Sequence, residues 1–231
     1  MMILAMMKKH WEFFCVFAPI KTLLFNLHYF PFADAVKCPM FIYRHTRLVQ
    51  MKGTLVVSAP LRTGMIKIGH YVPGTQDERY LQTTWEVQGR IEFVGNACIG
   101  RGTNVTVGKN ATMTVGDNLT ISGNTELYCH HRISIGDSCT LSWGILMMDT
   151  DFHAIKDNAT QTTINAPQPI HIGDHVWIGS RVTILKGVQI VSNTIIAAAS
   201  VITKSFDEEY CVIGGSGKDA SILRHNVQWE N

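Results

Sequence analysis

The stretch HIGDHVWIGSRVTILKGVQIVSNTIIAAASVITK, residues 171–204, repeats a hydrophobic residue at a fixed interval of six. The repeated residues are Ile172, Ile178, Ile184, Ile190, Ile196 and Ile202. A second small or β-branched residue stands four positions after each of the first five: Val176, Val182, Val188, Thr194 and Ser200. Two inward residues in six, followed by a turn, are typical of a short strand on one side of a three-sided coil whose stacked turns bury an aliphatic ladder. The stretch therefore predicts an all-β fold, a parallel β-helix.

The repeat extends upstream to about residue 91, with two interruptions. The first is a slip in the six-residue step: Val115, Ile121, Leu127 and Ile133 keep the step, whereas Ile135, Leu141 and Met147 resume it two residues late. We interpret this slip as a small bulge or a turn insertion. The second interruption, residues 148–171, is rich in Asp, Asn, Thr and Pro, and we expect it to form a loop that protrudes from the coil.

Composition divides the chain into four zones. Residues 1–50 are rich in Phe, Met and Leu and poor in Gly, so we expect a partly helical N-terminal segment. Residues 51–90 carry short β-branched runs between Gly and Pro, which predict leading strands. Residues 91–210 form the predicted β-helix domain with its loop, and residues 211–231 form a C-terminal tail.

Charge and cysteine content exclude some classes of protein. The chain has 231 residues, with 20 Lys and Arg against 18 Asp and Glu. Its net charge of +2 is not the excess of positive charge that is typical of a nucleic-acid-binding protein. The six cysteines are scattered without a C-x-x-C pair, which favours buried, reduced thiols in a cytoplasmic protein.

The N-terminal stretch 11–30 is apolar and aromatic and follows two lysines. Polar residues and one proline interrupt it: Glu12, Pro19, Lys21, Asn26 and His28. These interruptions argue against a signal peptide and against a transmembrane helix. Two interpretations remain open: a helix packed on its own domain or a neighbouring subunit, and an amphipathic helix within residues 1–30 that makes peripheral membrane contact.

Four segments together resemble the hexapeptide-repeat acetyltransferases: MDTDFHAI (148–155), HVWIGSRVTILKGVQI (175–190), IIAAASVITKSF (195–206) and CVIGGSGKDASIL (211–223). The resemblance covers roughly residues 90–224. Within the family, the chain is similar to the branch that acetylates sugars and polysaccharides, which resembles the galactoside, maltose and nodulation acetyltransferases. It implies a left-handed β-helix, a homotrimer with active sites between subunits, acetyl-CoA as cosubstrate and a sugar or glycan acceptor. No metal is expected.

Acetyl transfer to a hydroxyl needs a base that removes the hydroxyl proton during attack. His153 is the candidate, since histidine titrates near neutral pH and the 24-residue spacing from His153 to Trp177 matches the catalytic His and active-site Trp of the family. Either Asp151 or Asp149 is expected to orient the ring. The alternative is that these carboxylates shape the loop by accepting hydrogen bonds from its amides.

The resemblance also assigns a coenzyme A slot. Ser180 and Ala198 match the family's pantetheine-contacting positions, whereas Thr203 and Lys204 match its Thr-Lys pair near the nucleotide end and Lys218 matches a basic residue of its C-terminal segment. Gly179 adds a small residue beside Ser180, and Arg224 is a weaker candidate for phosphate binding. Small residues admit the pantetheine arm beside the backbone, and the cations suit its phosphates. Ala197 and Ala199 stand where the family usually has glycine, and the proline of its C-terminal segment is absent here.

The acceptor side is less determined by the sequence. Side chains alternate between the two faces of a strand, and Trp177 directly follows the inward Val176, so its indole is expected to point outward. The resemblance implies that this indole borders the acyl and acceptor pocket. The further candidates are Trp143, Asn124 and His130. The pattern leaves open which sugar is modified, whether a hydroxyl or an amine accepts, and how long the acyl group is.

Two other functions compete with acetyl transfer. A γ-type carbonic anhydrase also uses a left-handed β-helix trimer, with a zinc ion held by three histidines, and His171 and His175 lie four residues apart. The turn-like IGD segment between them argues against a shared face. A non-catalytic β-helix scaffold is the third hypothesis, and the extra loop with His153 argues against it.

Overall fold

A computed structural model describes residues 17–70 and 81–230. The described chain is mostly β, with two short helices at its start: α1 (Pro19–Tyr29) and α2 (Phe32–Ala35). The strands that follow form three sheets, and the first twenty strands enter the three sheets in turn. All neighbouring strands are parallel except the last pair. The chain therefore coils through three faces, as the six-residue repeat predicts.

The strands of sheet A are β1 (Met40–Ile42), β4 (Ile66–His70), β7 (Ala97–Gly100), β10 (Leu119–Gly123), β13 (Thr140–Trp143), β16 (Trp177–Ile178), β19 (Ile195–Ile196), β21 (Val212–Gly214) and the antiparallel β23 (Ser221–Arg224). Those of sheet B are β2 (Thr46–Met51), β5 (Thr83–Val87), β8 (Asn104–Val107), β11 (Glu126–Cys129), β14 (Leu146–Met148), β17 (Thr183–Leu185), β20 (Val201–Ile202) and β22 (Ser216–Gly217). Those of sheet C are β3 (Thr54–Val57), β6 (Arg90–Phe93), β9 (Thr112–Val115), β12 (Arg132–Ile135), β15 (Ile170–Ile172) and β18 (Gln189–Ile190).

The isoleucine ladder lies inside the coil, as predicted. All six isoleucines of residues 171–204 are fully buried, and the five small or β-branched residues between them are at most 3% exposed. Equivalent isoleucines pair across adjacent strands, for example Ile178 with Ile196 and Ile184 with Ile202. Burial of each such side chain contributes roughly 1.5–3 kcal/mol, so the ladder is a main source of stability.

The slip near Ile133 is neither a bulge nor a longer turn. Strand β12 keeps a continuous register with β9 and β15, and both Ile133 and Ile135 are buried in it, so one strand holds two inward residues. The connection from β11 to β12, which joins sheet B to sheet C, has two residues, as has the connection from β10 to β11. One coil later, at the same corner, residues 149–169 connect β14 to β15 without a named strand, and most of their side chains are exposed.

The sheets extend beyond the predicted β-helix domain in both directions. Strand β1 begins at Met40, so the leading strands of residues 51–90 belong to the same three sheets as the later coils. At the other end, β23 reaches Arg224 and lies within the predicted tail. Helix formation before residue 50 agrees with the predicted partly helical segment, of which residues 1–16 lie outside the described part.

Helix α1 covers the open edge of β1 with side chains. The Asn26 side chain donates to the carbonyl of Met40 at 2.8 Å and accepts from its amide at 3.1 Å. One helical turn earlier, the Thr22 hydroxyl donates to the carbonyl of Ile42 at 3.2 Å and accepts from its amide at 3.0 Å. Both side chains are buried. They satisfy backbone groups that an uncovered edge strand leaves available for pairing.

The described cysteines are free, in agreement with the expectation of reduced thiols. These are Cys38, Cys98, Cys129, Cys139 and Cys211. Burial raises the pKa of the Cys139 thiol to about 11, which keeps it protonated and unreactive near neutral pH. Cys15 lies outside the described residues.

Candidate active site

The loop between β14 and β15 is fastened to the coil by a buried carboxylate. Asp149 is fully buried, and its two oxygens accept hydrogen bonds from the backbone amides of His130 at 2.7 Å and His131 at 2.8 Å. Its own carbonyl accepts from the amide of Gln168 at 3.1 Å. Asp149 thereby joins both ends of the loop to the turn between β11 and β12 on the preceding coil.

A second carboxylate holds the interior of the loop. The Lys186 ammonium donates to Asp151 at 2.5 Å and to the carbonyl of Asn165 at 2.8 Å. The amide of Asn165 donates to the same Asp151 oxygen at 2.7 Å. The hydrogen bond from Lys186 is the main reason that the pKa of Asp151 is lowered, with a smaller contribution from Asn165. The carboxylate is therefore ionised near neutral pH.

His153 lies on the exposed part of this loop, and its backbone is held in place. Its amide donates to the carbonyl of Asp151 at 2.7 Å, and its carbonyl accepts from Asn165 at 2.8 Å. Phe152 just before it has a φ of +60°, an uncommon conformation for a bulky residue that turns the chain outward here. Within residues 17–70 and 81–230 the imidazole of His153 forms no hydrogen bond, so its ring remains available to a ligand.

The carboxylates predicted to orient His153 are engaged elsewhere. Asp149 accepts from two amides, and Asp151 accepts from Lys186 and Asn165. Neither forms a hydrogen bond with the His153 ring in the described part of the chain, so the orienting role stays a prediction. Both acids hold the loop in place, but their donors are the amides of His130 and His131, the Lys186 ammonium and the Asn165 side chain, and not the backbone amides of the loop itself.

Trp177 points outward from sheet A, as the alternation of side chains along the strand predicts, and 39% of its surface is exposed. Its indole nitrogen donates to the hydroxyl of Ser142 on the preceding coil at 3.2 Å. The ring also approaches Trp229 of the C-terminal tail, with a centroid distance of 6.2 Å. The sequence reasoning missed Trp229, because it lies beyond the repeat, where periodicity gives no signal.

Several predicted binding residues lie along the corner between sheets A and B. Trp143 is the last residue of β13, and Asn124, Ser180 and Ala198 follow the ends of β10, β16 and β19 on other coils. Backbone bonds tie these coils together: the amide of Arg181 donates to the carbonyl of Trp143, and that of Ala199 donates to Ser180. Asn124 and Trp143 therefore share one edge of the coil with the predicted pantetheine contacts.

Gly179 is required at this corner by its close neighbours. A Cβ at Gly179 would lie 2.7 Å from the amide nitrogen of Ala198 and 2.8 Å from the carbonyl oxygen of Ile196. Both neighbours belong to the backbone and have no room to yield. The next coil carries only the methyl group of Ala198 at this edge, and Ala198 is exposed. A narrow ligand arm fits beside such small residues, in agreement with the predicted slot.

Two of the three predicted phosphate-binding cations are close to each other. The Lys204 ammonium donates to the carbonyl of Lys218 at 3.1 Å, which brings the Thr203–Lys204 pair beside the C-terminal segment. Both lysines are exposed and follow strands of sheet B. Arg224 ends β23 in sheet A and so lies on a different face of the coil.

His130 is separated from the other acceptor candidates. Its ring packs edge-on against Phe152 with a centroid distance of 4.9 Å, at the corner between sheets B and C. Asn124 and Trp143 lie at the corner between sheets A and B. His153 follows β14 and so shares the corner of His130, whereas Trp177 lies on sheet A, the face opposite that corner. One chain therefore does not bring His153 and Trp177 together.

The histidines considered for zinc have separate partners. His171 Nδ1 lies 2.8 Å from the Ser134 hydroxyl on sheet C, whereas His175 at the next corner stacks on Trp229 with a centroid distance of 4.5 Å. His175 has a φ of +54°, which marks the turn that the IGD segment predicts. Among the described residues, no three His, Cys, Asp or Glu side chains are grouped to hold a metal ion.

Comparison with known proteins agrees with this fold. Residues 169–204 match the family described as bacterial transferase hexapeptide (six repeats). The match falls on the isoleucine ladder and confirms the predicted resemblance over these residues.

Among curated proteins, the chain is similar to the polysialic acid O-acetyltransferase of Neisseria meningitidis, with 42% identity over 67 residues, or 28% of this chain and 31% of the relative. It is similar also to the galactoside O-acetyltransferase of Escherichia coli (strain K12), with 30% identity over 94 residues, or 39% of this chain and 44% of that protein. The matched region thus spans less than half of either relative.

One solved structure extends the likeness beyond the matched repeats. The polySia specific acetyltransferase NeuO superposes with a TM-score of 0.51 over 80% of this chain and 72% of that chain. The two sequences are 20% identical, so this likeness bears on the fold alone.

Proposed function

We propose that the protein is an acetyl-CoA-dependent O-acetyltransferase that acts on a hydroxyl of a sugar or of a cell-surface glycan precursor. The observation that carries the proposal is His153: an exposed imidazole without an intramolecular hydrogen bond, on a loop whose backbone is fixed by Asp149, Asp151 and Lys186. The sugar O-acetyltransferase names of the curated relatives support the same class of acceptor.

In the proposed reaction His153 removes the proton of the acceptor hydroxyl as the oxygen attacks the thioester carbonyl. The carbon–sulfur bond then breaks, and His153 returns the proton to the departing thiolate. Gly179, Ser180 and Ala198 form the wall that holds the pantetheine arm, with Lys204 and Lys218 toward its phosphates. Trp177 borders the reacting groups and excludes water from them.

We further propose a left-handed homotrimer with three active sites between subunits. His153 and Trp177 lie on opposite sides of one coil, so a complete site requires His153 from one chain and Trp177 from the next. A cyclic trimer meets this requirement with three equal interfaces. The partly exposed Trp177 and Trp143 are also the kind of aromatic surface that a neighbouring subunit covers.

A thiol-release assay with acetyl-CoA over a panel of sugars tests the function. The wild type is expected to release thiol with at least one sugar, and His153→Ala to reduce kcat by about 10²–10⁴-fold because it removes the base. His171→Ala, an exposed histidine on another face, serves as the matched control and is expected to retain activity. Full turnover by His153→Ala contradicts the assignment of the base.

We propose a cytoplasmic location with peripheral membrane contact through α1. The helix exposes an apolar stripe at helical spacing: Ile20, Leu23, Leu24 and Leu27, each at least 40% exposed. Residues 17–52 contain five Lys or Arg and one Asp, which suits an anionic lipid surface. No helix in residues 17–70 or 81–230 is long and apolar enough to cross a membrane. The free thiols of the described cysteines support a reducing compartment.

Sedimentation with phosphatidylglycerol vesicles tests this contact. The wild type is expected to sediment with the vesicles at low salt and less at high salt. The double variant Leu23→Ser and Leu24→Ser is expected to remain in the supernatant, whereas Leu223→Ser, an equally exposed leucine at the other end of the coil, is expected to behave as wild type. Equal sedimentation of all three proteins argues against a role for α1.

A further inference from the structure

Trp229 is buried at the end of the C-terminal tail, whereas the other residues of 225–230 are exposed or half-buried. It is 8% exposed, its ring stacks on His175 with an interplanar angle of 12°, and its indole nitrogen donates to the carbonyl of His175 at 3.0 Å. The tail reaches this point through a bond from the amide of Val227 to the carbonyl of Tyr210 at 2.9 Å. A hydrogen bond between the His225 ring and the Glu208 carboxylate fastens it further.

The contact between Trp229 and Trp177 limits how the outward indole can move. The two rings meet at an interplanar angle of 47°, while the Ser142 hydroxyl holds the nitrogen of Trp177. An outward tryptophan with one hydrogen bond still has freedom about χ1 and χ2, and a packed aromatic neighbour removes most of it. Trp177 nevertheless keeps 39% of its surface open to a ligand.

We infer that Trp229 is a positioning residue that acts through Trp177 to set the acceptor side of the active site. The inference rests on the proposed function, in which Trp177 borders the acceptor. Trp229 is too buried to meet a substrate by itself. Its effect passes through the indole that it packs against, and the tail therefore forms part of the catalytic unit.

Kinetics of Trp229→Ala and Trp229→Phe test this role against the wild type. Loss of the aromatic contact is expected to raise the KM for the acceptor roughly two- to tenfold, with little change in the KM for acetyl-CoA. Trp229→Phe keeps the ring and is expected to recover most of the loss.

Circular dichroism provides a readout that does not depend on activity. Two coupled indoles give an exciton couplet in the far ultraviolet, and both Trp177→Phe and Trp229→Phe are expected to abolish it, whereas Trp143→Phe is expected to leave it. An unchanged acceptor KM in an active Trp229→Ala enzyme overturns the inference. Absence of thiol release by the wild type overturns the proposed function instead, while the couplet still reports the contact.

Discussion

At the scale of single residues, Ile178 represents one rung of the buried ladder. It is fully buried in β16 and lies between Leu141 of the preceding coil and Ile196 of the following one. Its side chain fills the centre of a triangular section to which the other two sheets also contribute. A smaller residue leaves a cavity that stacked strands cannot close, because their backbone hydrogen bonds fix the coil spacing.

Ile178→Ala is therefore expected to reduce the free energy of unfolding by about 2–5 kcal/mol, through lost burial and a residual cavity. Denaturant unfolding at one fixed protein concentration measures the change. Ile164→Ala removes the same atoms from a side chain that is 64% exposed, and its expected effect is within about 0.5 kcal/mol. Equal losses in the two variants contradict the inward ladder as the source of stability.

At the scale of elements, helix α1 acts as a lid on the first coil. Its two buried polar side chains replace the hydrogen bonds that a further strand would make with β1. Asn26→Ala leaves the amide and the carbonyl of Met40 without these partners, and each buried unpaired group costs about 1–3 kcal/mol.

We expect Asn26→Ala to lower the free energy of unfolding by about 2–4 kcal/mol, measured by denaturant titration. Leu24→Ala on the exposed face of the same helix is the control, with an expected change of at most about 0.5 kcal/mol. If Asn26→Ala is as stable as the wild type, the edge of β1 does not depend on the helix for its hydrogen bonds.

The loop that carries His153 depends on the ion pair between Asp151 and Lys186. The pKa of Asp151 is lowered in the folded protein, chiefly by this contact, so the carboxylate stabilises the loop at pH values above its unfolded pKa of about 3.9. This contribution is lost as the pH falls through the folded pKa. Near neutral pH the ion pair is intact.

Removal of the cation is expected to loosen the loop at neutral pH. Lys186→Met should increase the rate at which chymotrypsin cleaves after Phe152, which lies next to the ion pair and is 55% exposed. Lys156→Met, at an exposed position of the same loop, should leave the rate unchanged. Cleavage at the same rate in both variants indicates that Asp149 alone holds the loop.

At the scale of the whole molecule, the separation of His153 and Trp177 makes a prediction about mixed oligomers. His153→Ala and Trp177→Ala are each expected to be nearly inactive. When the two variants are unfolded together and refolded, random trimers that contain both chains have one interface with an intact His153 and an intact Trp177. About a quarter of the wild-type activity is then expected to return.

Light scattering and the thiol-release assay measure the mass and the recovered activity of the mixture. Each variant refolded alone is the control and should remain inactive. No recovery in a mixture of confirmed trimeric mass contradicts a site shared between subunits, and a monomeric mass contradicts the trimer itself.

The sequence by itself determined that the chain forms a coil and which side chains point into it. A six-residue period specifies which side chains point inward, and burial enforces that pattern wherever the repeat holds, from Ile172 to Ile202. The outward position of Trp177 follows from the same parity. The exposed His153 was found because the loop interrupts a regular repeat and because the segment resembles a known family.

Tertiary structure alone decided what the polar residues contact. Local sequence left two roles for Asp149 and Asp151, and their contacts depended on His130, Lys186 and Asn165, which the coil brings near from other turns. It also decided that Trp229 meets Trp177, since the tail folds back without any periodic signal. Periodicity encodes burial, which is a property of each residue, whereas a hydrogen bond or ring contact needs two partners whose separation only the folded chain sets.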